Sequence, residues 1–203
     1  MKKSRTCFGL HSCVTRIRFA QEDSLAMRPR RIQTASPVNP VAEVSSIMSK
    51  IRLILGLIGW LLASFAAAAF GGWFTPGTWY AALNKPEWNP PGWVFGPVWT
   101  LLYCAMAVAA WLVWRQGGFA AQRRPLRWYA VQLLLNAAWS PLFFGLRLPG
   151  LAFVEIVLLW LAIAMTWFTF RPVSRAAAWL LVPYLTWVSF AAVLNYTLWR
   201  MNS

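Results

Sequence analysis

The sequence predicts an all-α integral membrane protein: a five-transmembrane-helix bundle with an ordered aromatic and proline-rich connection between helices one and two. Composition is the first observation behind this prediction. Hydrophobic residues make up 59% of the 203-residue chain and charged residues 12%, which is about half of the ~25% typical of soluble domains. The second observation is the length of the apolar stretches, several of which reach the ~20 residues that a helix needs to cross a bilayer.

The net charge, taken alone, would suggest a different class of protein. A soluble chain with a net charge of +14 would be interpreted as a nucleic-acid binder. Here the basic residues lie at the ends of apolar stretches and in a separate N-terminal segment, so we expect no nucleic-acid partner. We also expect no metal site, because the Cys7-x3-His11-x-Cys13 cluster fits no common zinc spacing and lacks a fourth ligand.

Composition changes near residue 48. Residues 1–47 hold none of the 15 Trp and 5 Tyr residues, which predicts a disordered basic extension before a membrane domain at 48–203. Three explanations stay open: a targeting segment, a basic arm on the anionic cytoplasmic leaflet, or translated sequence upstream of a natural start at Met48. We favour the third, because a short cationic lead directly precedes an apolar helix at Met48-Ser49-Lys50-Ile51-Arg52.

Five apolar stretches are predicted to cross the bilayer. They cover residues 51–70, 94–114, 126–144, 151–170 and 176–199. Pro141 and Pro183 fall inside the third and fifth stretches, where proline predicts a kink.

The distribution of lysine and arginine predicts the orientation. One side of the membrane would carry Lys50, Arg52, Arg115, Arg123, Arg124, Arg127, Arg171 and Arg175. The other side would carry Lys85, Arg147 and Arg200. The richer side is expected to be cytoplasmic, which places the N-terminus inside and the first connection outside. We expect a multi-pass protein of a bacterial cell membrane.

Three polar side chains fall inside the predicted spans: Asn136, Glu155 and Asn195. Such groups are costly in a bilayer and mark functional sites by default. The alternative is structural, because asparagine can hydrogen-bond neighbouring helices. Glu155 lies close enough to the predicted membrane surface to reach water or Arg147.

Helical periodicity places aromatic, polar and small residues on shared faces. These faces hold Trp99, Tyr103 and Met106; Asn136 with Trp139 or Ser140 and Phe143; and Trp187, Ala191 and Leu194. Such faces can line a pocket for a flat apolar ligand, with rings supplying stacking area and amides fixing orientation. The alternative is that the tryptophans form interfacial belts.

Residues 71–93, the first connection, are too aromatic for a solvated loop and too proline-rich for a span. We predict a rigid segment that covers the outer mouth of the bundle.

A stripe of small residues on the preceding helix would let another backbone approach closely. That backbone belongs either to a second copy of the chain, which would give a homodimer, or to the same bundle. The stripe comprises Gly59, Ala63, Ala67 and Gly71.

Several motifs together resemble the TspO/MBR family of tryptophan-rich sensory proteins, whose animal members are the translocator proteins or peripheral benzodiazepine receptors. The first motif is Trp79-Tyr80-x2-Leu83-x-Lys85-Pro86-x-Trp88-x-Pro90-Pro91, followed by Val94-Phe95-Gly96-Pro97-Val98-Trp99-Thr100-x2-Tyr103. The resemblance continues through Gln132-Leu133-x-Leu135-Asn136-x2-Trp139-Ser140-Pro141-x-Phe143-Phe144-Gly145 and Pro183-Tyr184-Leu185-x-Trp187-x3-Ala191-x2-Leu194-Asn195-Tyr196. It covers residues 50–203.

The resemblance implies a five-helix bundle, often homodimeric, that binds porphyrins (protoporphyrin IX, heme), sterols and benzodiazepine-type ligands without a required cofactor. Carried over by motif, the pocket would use Trp79, Tyr80, Pro90, Trp99, Tyr103, Asn136, Trp139, Phe143, Trp187, Ala191 and Leu194. Glu87 departs from the residues that relatives often have, and a charge there could alter how the connection seats. Leu194-x-Tyr196-x3-Arg200 fits the pattern proposed for cholesterol recognition.

Three functions follow from this resemblance. The first is a membrane receptor or transporter for tetrapyrroles. The second is a light- and oxygen-dependent porphyrin-degrading enzyme; no nucleophile–base set is visible, so Trp99 and Trp187 are the candidate catalytic residues. The third is a chaperone or regulator of another membrane protein.

Overall fold

The computed structural model describes residues 40–203, with side chains at residue 45 and from residue 48 onward. All regular structure within these residues is helical, as predicted. The elements are α1 (Pro40–Gly72), α2 (Thr78–Ala82), α3 (Gly92–Trp114), α4 (Gly118–Ala121), α5 (Arg123–Ser140), a π-helical turn (Pro141–Gly145), α6 (Pro149–Phe170), α7 (Arg175–Leu180) and α8 (Val182–Met201). The predicted disorder of the N-terminal extension concerns residues 1–47, of which 1–39 lie outside the described residues.

Four helical segments within the described residues are long and apolar enough to cross a membrane: Met48–Gly72, Gly92–Trp114, Pro149–Phe170 and Arg175–Met201. They correspond to the first, second, fourth and fifth predicted spans, which makes the protein multi-pass. The predicted third span corresponds to α5 and the π-helical turn. Arg123, Arg124 and Arg127 lie in the first turns of α5, and its apolar content is lower.

Both predicted kinks lie at or near a change in backbone conformation. Helix α5 ends at Ser140, and the chain passes into the π-helical turn at Pro141. The last helical segment is interrupted at Leu181, between α7 and α8, two residues before Pro183. Proline lacks an N–H and cannot continue the regular hydrogen-bond ladder, so the regular α-helix is interrupted at or near these positions.

Helix α5 packs most extensively against α6, which also contacts α8, while α1 lies against α3 and α5. Core residues with 1% exposure or less include Met106, Tyr129, Ile163 and Tyr184. Large apolar side chains also cover the outside of the bundle, including Leu62, Leu101, Leu134 and Phe168. A surface of this kind matches the hydrocarbon of a bilayer.

Hydrogen bonds attach α1 to its neighbours. The Ser64 and Tyr129 hydroxyls lie 2.7 Å apart and join α1 to α5. The Trp111 Nε1–H of α3 donates to the Leu53 carbonyl at 2.9 Å. Because bonds between membrane helices contribute about 0.6 to 2 kcal/mol each, these contacts fix the otherwise lipid-facing α1 against the bundle.

Arginines gather at one end of the bundle and stack on tryptophans. Arg52 lies 5.6 Å from the Trp114 ring centroid, and Arg171 lies 5.4 Å from that of Trp167. The opposite end is covered by residues 73–91, here called the lid, which join α1 to α3 and include α2.

The small-residue stripe of α1 divides between two environments. Gly71 is buried, and a Cβ placed there would lie 3.4 Å from Ser140 Oγ. Gly59 and Ala63 are exposed, and a Cβ at Gly59 would have no neighbour within 4 Å. The stripe therefore packs inside the bundle at its lid end and faces outward nearer the middle of α1. Homodimerisation through the outward part stays a prediction.

Candidate ligand-binding cavity

A cavity of about 740 Å³ lies beneath the lid and between α1, α3, α5, α6 and α8. Its volume falls within the ~300–1,000 Å³ range of small-molecule sites. Ten of the eleven residues predicted for the pocket line it: Tyr80, Pro90, Trp99, Tyr103, Asn136, Trp139, Phe143, Trp187, Ala191 and Leu194. That they bind a ligand stays a prediction.

Trp79 is the predicted pocket residue that does not line the cavity. Its ring meets Phe143 at 66° with the centroids 5.8 Å apart. Because Phe143 itself is 1% exposed and lines the cavity, Trp79 supports the cavity wall from behind and helps to seat the lid.

Trp99 and Trp187 both line the cavity, and each is held by its own aromatic neighbours. The Trp99 ring centroid lies 5.6 Å from that of Tyr103 and 6.3 Å from that of Tyr184. The Trp187 centroid lies 5.8 Å from that of Phe95 and 5.4 Å from that of Phe190. The two indoles are thus fixed in orientation before any ligand arrives.

Asn136 joins three helices at the cavity wall. The Tyr103 hydroxyl of α3 donates to Asn136 Oδ1. Asn136 Nδ2 in turn donates to the Tyr184 hydroxyl of α8 at 2.8 Å. The structural and functional interpretations of this residue are therefore compatible, because Asn136 links helices and also lines the cavity.

A second amide orients the Trp139 indole. Trp139 Nε1–H donates to Asn195 Oδ1 at 3.0 Å, and Asn195 Nδ2 donates to the Pro149 carbonyl at 2.8 Å. The Trp139 ring also stacks on Phe143, with centroids 4.9 Å apart. Asn195 therefore acts as the predicted hydrogen-bonding residue between helices.

Three buried side chains in the described part of the chain have polar atoms without a hydrogen-bond partner: Gln132, Glu155 and Trp187. Glu155 is 7% exposed, so the expectation that it reaches water or Arg147 is wrong. Gln132 is fully buried on α5 and was not singled out from the sequence. The free Trp187 group is its Nε1–H donor, which belongs to a residue that lines the cavity.

The lid is tied together by its own polar contacts. The Tyr80 hydroxyl donates to Asn89 Oδ1 at 3.3 Å, and Lys85 Nζ lies 4.9 Å from the Tyr80 ring centroid. Burial raises the pKa of Tyr80 above its usual value of 10.0, although the hydrogen bond to Asn89 opposes this shift. The phenol therefore stays protonated and keeps donating at neutral pH. Glu87 is exposed and lies outside the cavity lining.

Further cavity residues were not predicted from the sequence. They lie on α1, on α3 and on α6, and include Phe65, Ala69, Gly72, Phe95, Ile156 and Leu159. Periodicity of apolar residues could not identify those on α1 and α6, because both helices are apolar over most of their surface and lipid-facing residues look the same as cavity-facing ones. The polar side chains Ser64 and Glu155 are the signal that could have marked their inward faces, since both are buried.

The residues of the cholesterol pattern do not share one surface. Leu194 is 6% exposed and lines the cavity, whereas Tyr196 is 46% exposed. The Tyr196 ring packs outside against Phe153, with centroids 5.2 Å apart, and Arg200 is exposed. Residues two apart on a helix point to different faces, so the motif joins a cavity residue to an outer surface.

In the described part of the chain, no group of three His, Cys, Asp or Glu side chains is placed to hold a metal ion. The Cys7, His11 and Cys13 cluster lies outside the described residues.

Apolar helices that cross a membrane and enclose an aromatic cavity beneath a loop define a multi-pass helical membrane protein with an internal cavity of ligand size. A sequence profile of the TspO/MBR family matches residues 60–200, and the chain belongs to this family. The family predicted from the motifs is thereby confirmed.

Relatives come from animals and bacteria. The human translocator protein is 46% identical over 150 residues, covering 71% of this chain and 89% of its own. The tryptophan-rich protein TspO of Chlorobaculum tepidum is 44% identical over 162 residues, covering 76% of this chain and 99% of its own. The tryptophan-rich sensory protein of Cereibacter sphaeroides is 40% identical over 142 residues, covering 70% and 88%.

Proposed function

We propose that this protein is a membrane receptor or transporter that binds tetrapyrroles, such as protoporphyrin IX and heme, in the cavity beneath the lid. The observation that carries the proposal is the cavity itself, whose volume of about 740 Å³ suits a drug-sized or larger flat ligand. Its wall combines Trp99, Trp139 and Trp187 with Phe143. The three indoles are only half-buried and offer apolar surface on which a macrocycle can stack.

Hydrogen bonding supplies orientation. Most polar groups of the wall are already paired within the protein, as in the contacts of Asn136 with Tyr103 and Tyr184. The Trp187 Nε1–H has no acceptor, and buried donors are nearly always paired in proteins. Because the Nε1 atom is itself buried, a ligand acceptor would complete this bond only after the Trp187 ring turns toward the cavity. The same wall would accept sterols or benzodiazepine-type ligands, which compete with the tetrapyrrole for one apolar space.

Membrane topology is part of the proposal. We place α5 as a fifth membrane-crossing helix, because its polar side chains Gln132 and Asn136 are buried while Val131 and Leu134 on other faces are exposed. Five crossings put the termini on opposite sides, and the excess of arginine at one end makes that end cytoplasmic. The lid then faces outward, toward the periplasm if the membrane is the bacterial cell membrane.

Light-dependent porphyrin degradation is the second candidate function. It is favoured by the presence of Trp99 and Trp187 on the wall of one cavity, where an excited porphyrin would contact both indoles. In this alternative the indoles are reactants, and loss of either one would lower degradation more than it lowers affinity.

Tryptophan fluorescence during a titration with protoporphyrin IX tests the proposal, because a bound porphyrin quenches nearby indoles. We expect saturable quenching in the purified protein. The matched control is Trp179→Phe, since Trp179 is 69% exposed and lies outside the cavity lining; this variant should bind as the parent does. Linear quenching without saturation would contradict binding at a defined site. Illumination of the same samples, with porphyrin absorbance as the readout, separates binding from degradation.

A further inference from the structure

The tip of the lid is joined to the end of α8 by one side chain. Asn202 Oδ1 accepts a hydrogen bond from the Asn84 backbone N–H at 2.9 Å. Asn202 Nδ2 donates to the Asn84 backbone carbonyl at 3.0 Å and to the Leu198 carbonyl at 2.8 Å. The amide therefore pairs with both backbone groups of Asn84 and with the last turn of its own helix.

We propose that Asn202 is a positioning residue that latches the lid and controls how fast a ligand enters and leaves the cavity. Asn202 and Asn84 lie outside the cavity lining. The chain between Asn84 and α3, however, carries Asn89 and Pro90, which line it. A contact at the lid tip can thus regulate a cavity that it does not touch.

Other contacts explain why a polar latch is needed at this point. The lid rests on the bundle through edge-to-face aromatic pairs, such as Tyr80 with Phe144 at 5.5 Å and Trp88 with Phe190 at 6.0 Å between centroids. Pairs of this type hold a surface down but tolerate sliding. The Lys85 ammonium bonds the Ala81 and Leu83 carbonyls of the lid itself, so it stiffens the lid without attaching it to α8.

Side-chain substitutions separate the latch from its surroundings because Asn84 takes part only through its backbone. Asn84→Ala keeps both hydrogen bonds and is the matched control. Asn202→Ala removes them. Asn202→Asp keeps an oxygen acceptor for the Asn84 N–H but turns a second oxygen toward two carbonyls, where a carboxylate is repelled. Asn202→Ala should raise the population of open lids about tenfold, the effect of losing two exposed hydrogen bonds to Asn84. Asn202→Asp should raise it to a similar extent, because it loses one of these bonds and its carboxylate is repelled by the Asn84 carbonyl.

Hydrogen–deuterium exchange without ligand gives the first readout. We expect faster exchange across residues 78–91 in Asn202→Ala and Asn202→Asp, and parent-like exchange in Asn84→Ala. A purely structural role of Asn202 as the cap of α8 would change exchange only in the last turn of that helix, and this result would overturn the latch. This readout does not depend on the proposed function.

Stopped-flow fluorescence with protoporphyrin IX gives the second readout, which does rest on the proposed function. A latch predicts that association and dissociation rates rise together by about tenfold while Kd changes by less than threefold. Faster hydrogen–deuterium exchange of the lid with unchanged association and dissociation rates would overturn the proposal that the latch controls ligand entry and exit. A parent protein that fails to bind protoporphyrin IX, but whose lid exchange responds to Asn202 substitution, would contradict the proposed function and leave the latch standing.

Discussion

Asn136 is the residue on which the polar contacts of the cavity wall converge, since it bonds Tyr103 and Tyr184 from two different helices. Its amide has one acceptor and one donor group, and each meets a hydroxyl. Replacing it leaves two buried hydroxyls with one partner fewer, which costs more than the hydrogen bonds themselves contribute.

Asn136→Ala should therefore lower the free energy of unfolding by about 1–3 kcal/mol, measured as a lower Tm in detergent. Thr186→Ala is the control, because the exposed Thr186 hydroxyl bonds only the Val182 carbonyl of its own helix. Equal Tm values for the two variants would show that the Asn136 contacts contribute little.

Trp99→Phe and Trp187→Phe test whether the indoles act as contact surface or as reactants. Each change keeps an aromatic ring, and aromatic stacking contributes about 0.5–1.5 kcal/mol beyond area burial, so affinity for protoporphyrin IX should fall only a few-fold. Photodegradation measured on the same variants decides the role. Loss of degradation with retained affinity supports the enzyme function, whereas a parallel decline of both makes the indoles simple contacts.

Ala191→Thr places a larger, polar side chain on the cavity face of α8. Ala191 lines the cavity, so the added atoms reduce its volume while the helix persists. We expect weaker binding of large ligands, little change for small ones, and a Tm close to that of the parent. Equal loss of affinity for every ligand size would indicate that the substitution disturbs the helix and not the shape of the cavity.

At the scale of elements, α1 is the least buried of the four helical segments that are long and apolar enough to cross a membrane. Its outward face carries Gly59 and Ala63, which are both exposed. No other part of the described chain packs over Gly59. Small residues exposed to lipid permit close approach of a second helix.

Ala63→Leu should break a homodimer that uses this face and leave the monomer folded, because the new side chain points away from the core. Light scattering or cross-linking in detergent measures the oligomeric state, and Gly71→Leu is the contrasting variant, since Gly71 faces Ser140 inside the bundle. If Ala63→Leu instead unfolds the protein, the stripe packs inside the bundle and the dimer does not depend on it.

The element boundaries show how far sequence reasoning reaches. Span length and proline positions predicted α3, α6 and the breaks at Pro141 and Pro183, because bilayer thickness and the missing proline N–H act locally. The burial of Glu155 and Gln132 was not predictable, since it depends on how α5 and α6 face each other. The cavity walls on α1 and α6 were missed for the same reason: helices that are apolar over most of their surface carry little signal for which face turns inward.

For the molecule as a whole, the arginine-rich end and the lid end predict a fixed orientation in the membrane. A reporter that works only outside the cytoplasm should be active when it is fused after Ser203, because five crossings separate the termini. The same reporter fused after Gln116, in the connection that follows α3, should be inactive and serves as the internal control. An inactive fusion at Ser203 would contradict five crossings.

A crystal or cryo-EM structure of the protein with protoporphyrin IX tests the central claim most directly. The account predicts the macrocycle beneath the lid, in contact with Trp99 and Trp187, below Tyr80 and Pro90, and beside Asn136. A macrocycle seated instead on the outer face of α8, against Tyr196 and Arg200, would contradict it.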